Sequence, residues 1–147
     1  MSIARHLATI DLLCTRDFPA EHGRSDVGTE GPGYYIAELQ TSADFWEDDG
    51  TEREETETQY ELDRDGLSER LTERWGAPQV FSLWSVFNRS MDGEDIPEPW
   101  AVLSSHVPVV HLWKEDGRGR YVGLGVSQWD KELPFQLVAV VTEMDPP

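Results

Sequence analysis

The segment Gly125-Val126-Ser127-Gln128-Trp129 comes nearest to a nucleophile motif in this chain. A Gly-x-Ser-x-Gly elbow presents its serine on a sharp strand-to-helix turn. Here Trp129 stands where the second glycine belongs, and the chain continues as a hairpin, so Ser127 reads as a strand residue. His106 and His111 are the candidates for proton transfer or zinc. Five positions apart, they miss the spacing of helical zinc pairs, and on one strand an odd interval sends them to opposite faces. No Cys or second His pair joins them. His111, between Val110 and Leu112, reads as a half-buried, hydrogen-bonded side chain.

Glu61-Leu62-Asp63-Arg64-Asp65-Gly66 has the alternating oxygens and sixth-position glycine of a calcium loop. Its twelfth position is Thr72, where such a loop needs a bidentate Glu. The pairs Asp130 with Glu132 and Asp92 with Asp95 could serve as acid and base only if a neighbour split their pKa values. Cys14 is the single cysteine, which excludes an internal disulfide. It follows two leucines and has no activating base nearby, so it reads as a buried small hydrophobe. No motif fixes a reaction, and neither a metal nor a cofactor is expected.

Charge is more informative. From Thr41 to Arg70, 12 of 30 residues are Asp or Glu and three are Arg, giving nine of the chain's 17 net negative charges. Such a field repels nucleic acid and anionic lipid and attracts cationic surfaces. Asp44, Glu47, Asp48, Asp49, Glu52, Glu54 and Glu55 are the candidate partner-binding carboxylates. Trp46, Trp100, Tyr121 and Trp129 are the candidate aromatic anchors, or the lining of a pocket on the sheet. Trp75 and Trp84 read as core.

These residues need elements to hold them. At 147 residues and 38% hydrophobic content, the chain fits one domain, with residues 41–60 as an acidic, mobile segment. Ile3, Leu7, Ile10 and Cys14 fall on one helical face, with Ser2 as N-cap. Residues 21–33 read as loop and Tyr34 to Leu39 as a strand. Tyr60, Leu67, Leu71 and Trp75 predict a helix over residues 62–75, ended by Gly76 and Pro78. Residues 79–87 read as strand, 91–99 as loop and 100–105 as one helical turn. Then come three strands, 107–115, 120–129 and 135–143, joined by two tight turns into a meander. Both faces of that meander are apolar, so something must cover each of them.

The expected fold is α+β: an antiparallel sheet of four to six strands, a C-terminal meander and two helices packed on it. The leading function is a non-catalytic, cytoplasmic protein-binding module that meets a basic partner surface through its acidic segment. An inhibitor or immunity-like protein that neutralises a cationic toxin or nuclease is one concrete instance. The alternative is a small-ligand-binding or enzymatic domain using an aromatic pocket around Tyr121 and Trp129. Behind these stand DNA mimicry, metal binding and assembly as a homo-oligomer. No nucleic-acid or membrane partner is expected.

Overall fold

The computed structural model describes residues 2–47 and 49–147. Its strands are β1 (Gly23–Arg24), β2 (Gly28–Gly31), β3 (Tyr34–Thr41), β4 (Gln79–Ser82), β5 (Val109–Lys114), β6 (Tyr121–Ser127) and β7 (Gln136–Thr142). The helices are α1 (Ile3–Thr15), α2 (Thr51–Trp75), α3 (Trp84–Met91) and α4 (Trp100–Ser104). The strands form one sheet in the order β1-β2-β3-β7-β6-β5-β4, and every neighbouring pair is antiparallel. The fold is α+β as expected, but the described residues form seven strands and four helices instead of four to six and two.

The additions have local causes. β1 and β2 lie in the Gly-rich residues read as loop, where short polar strands carry no alternation to detect. β2 also needs Gly28: its φ is 151°, and a Cβ there would meet the Ile36 carbonyl oxygen at 2.3 Å. Residues 79–87 contain two elements, a four-residue strand and then α3. A continuous apolar run is compatible with either structure, so its period could not divide it.

Helix α1 begins where Ser2 Oγ accepts the Arg5 N–H at 3.3 Å. Ile10 and Leu13 on its inner face are fully buried. Helix α2 runs for 25 residues, eleven more than the 14 expected. Its early turns have no apolar stripe and are tied to the body by Arg53, which donates to Gln128. Thr56 and Thr58 donate to the carbonyls of Glu52 and Glu54, and Glu52 and Glu54 sit at the positive end of the helix dipole. The apolar stripe starts only at Tyr60 and continues through Leu67 and Leu71, both fully buried. Each such leucine contributes roughly 1.5–3 kcal/mol on burial.

Alternation along β6 divides the interior in two. Val122, Leu124 and Val126 pack with α1 and α2, together with Tyr35, Leu137 and Ala139. On the other face, Val110, Leu112, Val138 and Val140 pack with Val86 of α3 and Trp100 and Leu103 of α4. The second face that needed a cover is thus covered by the chain itself. Gly125 permits this: a Cβ there would meet Val107 Cγ1 at 2.4 Å and the Val109 carbonyl oxygen at 3.2 Å.

Two buried charged residues fix the β5–β6 hairpin, Glu115 within its turn and Arg120 against α1. The Glu115 carboxylate accepts the backbone N–H groups of Gly117, Arg118 and Arg120 at 2.7, 2.7 and 3.1 Å. Burial alone would raise its pKa, but these bonds outweigh burial and hold it below the usual Glu range. Arg120 reaches the other way, donating to the carbonyls of Leu13 and Arg16 at the end of α1 while its guanidinium lies 4.1 Å from the Phe18 ring centroid. Both groups are used up by the architecture.

Candidate functional site at one end of the sheet

The register places Thr41, Ser82, Val109, Ser127 and Gln136 at the same end of the sheet. Residues 42–47, residues 105–108, residues 128–135 and the entry to α3 meet there. Backbone bonds tie them together, from Ser42 N to Phe135 O, Phe45 N to Glu132 O, Gln128 N to His106 O and Leu83 N to Pro108 O, all at 2.9–3.0 Å.

At this end lies a groove of about 450 Å³, lined by Arg53, Glu57, Glu61 and Arg64 of α2 opposite Val80, His106, His111, Val126, Gln128 and Phe135, among others. Arg53 crosses it from the second residue pair of α2. Its Nη2 donates to Gln128 Oε1 at 2.7 Å, approaches Glu57 at 3.8 Å, and the guanidinium lies 5.4 Å from the Phe135 ring centroid. Arg64 pairs with its neighbour Asp65 at 3.1 Å.

His106 forms the inner wall. Its Nδ1 lies 2.6 Å from Ser127 Oγ, and its ring stacks on the Trp129 indole with centroids 3.7 Å apart. Burial lowers its pKa from the ordinary imidazole value to about 4, so the ring is neutral at physiological pH. Burial, and after it the Arg64 charge, lowers the pKa of His111 as well, and its Nδ1 lies 3.1 Å from Ser68 Oγ. The two histidines were expected on opposite faces. They share the groove because His106 precedes β5 instead of lying in it, so strand parity does not apply.

Ser127 ends β6 with no exposed surface, which makes it a hydrogen-bond partner for His106 and not an exposed nucleophile. Residues 61–66 are helical throughout, so the calcium-loop spacing does not form a loop. Among the described residues, no group of three or more His, Cys, Asp or Glu is placed to hold a metal ion. No helix among them is long and apolar enough to cross a membrane.

Asp44, Glu47, Asp49, Glu52, Glu54 and Glu55 are exposed on the segment leading into α2 and on its first turns. Asp48 lies outside the described residues. Phe45 is buried against Phe135, while its neighbour Trp46 is 65% exposed. Trp129 is 53% exposed beside the groove. Trp84, read as core, is instead 67% exposed and lines a second groove with His106, Pro108 and Gln128. It is the first residue of α3, and Phe87 stacks on it.

The other two aromatic candidates are elsewhere. Trp100, the first residue of α4, is fully buried, its indole N–H donating to the Met144 carbonyl at 3.2 Å, so it presents no surface to a partner. Tyr121 opens β6 at the far end, bonded to Asp145 at 2.9 Å. Tyr121 and Ser127 stand at opposite ends of β6, six residues and roughly 20 Å apart at about 3.3 Å per residue, and Trp129 lies beyond Ser127. One pocket cannot use both rings.

Sequence reasoning missed Arg53, Gln128 and Trp84 as members of this end. Arg53 did leave a signal, being the one base between Thr41 and Asp63. No protein-family model matches the chain, and neither do the curated proteins or solved structures compared with it.

Proposed function

We propose that this chain is a non-catalytic protein-binding module that recognises a basic surface on its partner. The supporting observation is one of placement. Two exposed indoles, Trp46 and Trp129, stand at the same end of the sheet as six exposed carboxylates, from Asp44 to Glu55. Carboxylates attract and orient a cationic partner from a distance, while half-exposed aromatic side chains supply contact area once water is excluded. The rigid sheet end beneath them keeps the cost of ordering the surface low.

The alternative, a small-ligand or enzymatic site, draws on the groove of about 450 Å³, a volume suited to a small molecule. Its two histidines are committed to serine partners, and of the two rings in the aromatic pocket first envisaged, Tyr121 opens β6 while Trp129 lies past its other end. The binding reading is therefore preferred.

The test is a titration of the protein against a panel of basic proteins and Arg- or Lys-rich peptides, followed by tryptophan fluorescence at low and high salt. Binding should weaken steeply with salt and fall on combining Glu52→Gln, Glu54→Gln and Glu55→Gln. Trp46→Ala should also weaken it at unchanged net charge, which a general polyanion effect would not produce. Binding indifferent to salt, or untouched by both sets of changes, would refute the reading.

A further inference from the structure

We propose that the free edge of β4 is the seam of a homodimer, in which two copies pair β4 with β4 antiparallel about a twofold axis. The two edges of the sheet are managed differently. β1 is two residues long, and its Arg24 is engaged by Glu38 at 2.7 Å, so it offers almost no template. β4 is longer, uncharged and without a bulge, and among the described residues it pairs only with β5. An unprotected edge of this kind invites another strand. Val80 is 58% exposed along it, and Trp84 is 67% exposed where β4 passes into α3.

The charge pattern identifies the occupant. Two molecules of net charge −17 can approach closely only where carboxylates are sparse. Acids make up about a fifth of the sequence, yet the eighteen residues between Glu73 and Asp92 include none, and this stretch contains β4 and α3. A basic partner would be drawn to the opposite kind of surface. Where α2 comes near this edge, Glu57 and Glu61 share the groove beside Val80 with Arg53 and Arg64, so its charge there is balanced. Antiparallel pairing about a twofold is self-complementary, and it extends the sheet in the one sense that all its existing strands use.

Sedimentation equilibrium tests this directly. The expected mass is twice 16.7 kDa, with the dimer fraction rising with salt as the repulsion between copies is screened. That trend is opposite to the one expected for a basic partner, so the two proposals fail independently. Val80→Lys should weaken the dimer about tenfold or more, because the twofold brings like charges together across the seam. Trp84→Glu should act in the same direction, and both variants should keep the far-UV circular dichroism of the parent. Hydrogen exchange at β4 amides should slow as protein concentration rises. A mass of 16.7 kDa at every concentration and salt would overturn the proposal, as would a dimer indifferent to Val80→Lys or β4 amides indifferent to concentration.

Discussion

The imidazole of His106 lies face to face with the indole of Trp129, 16° from parallel with ring centroids 3.7 Å apart. Burial holds this histidine's pKa near 4 in the fold, against about 6.5 in the unfolded chain. The unfolded state therefore takes up the proton first as pH falls. The His106 contribution to stability is complete above about pH 6.5 and is lost between there and about pH 4, amounting to roughly 3 kcal/mol. His6 and His111, lowered in the same direction, add to the slope in this window. Urea unfolding of His106→Gln should show a shallower acid slope than the parent, at a cost of about 1 kcal/mol at neutral pH. An unchanged slope would mean that His106 is not the group responsible.

Glu115 behaves in the opposite chemical sense. Its folded pKa is depressed, so its contribution is present above the usual Glu range and disappears as pH falls through the lowered value. Glu115→Gln keeps the shape but removes the charge that three N–H donors converge on. A loss of about 1–3 kcal/mol is expected at neutral pH, shrinking in acid. Chemical denaturation at pH 7 and pH 3 checks both parts.

Gly125 and Val107 form a steric pair across the covered face of the sheet. Gly125→Ala drives a methyl group to within 2.4 Å of Val107 Cγ1 and should cost about 1–3 kcal/mol. Val107→Ala alone leaves a small cavity and should also destabilise. The double variant should lose less than the sum of the two, because each change relieves the other. Strict additivity would show that the contact is relaxed by backbone movement.

The Cys14 thiol should be inert in the native protein. It is 7% exposed, and burial, with the Glu115 and Asp11 charges behind it, pushes its pKa up to about 12. An aromatic disulfide reagent at pH 8 should label it only as fast as the protein unfolds, and denaturant should release the reaction. Rapid labelling without denaturant would contradict the packing of α1.

What the sequence revealed follows from where burial leaves a pattern. α1, β3 and the three C-terminal strands were legible because one face of each is apolar at a regular period, and the structure alters their ends by one or two residues. The first turns of α2 were not, because residues 51–59 contain no apolar side chain and the helix there draws on Glu52 and Glu54 at its positive dipole end and on the tertiary bond of Arg53 to Gln128. Trp84 misled for a related reason: its type argues for the interior, yet its place on α3 turns it outward. At the candidate site, the carboxylates and Trp46 could be picked out by composition. The joining of Arg53 to Gln128, 75 residues away, could not, since only the tertiary register brings them together.

β7 lies between β3 and β6, and its partners in β3 precede it by about a hundred residues. Until its last strand is available, a nascent chain holds two greasy ribbons with bare margins where the centre of the sheet should be. The centre of the sheet can therefore close only once β7 has been made, and such distant pairing is intrinsically slow. The dense negative charge then has a second use, keeping unfinished chains apart while they wait.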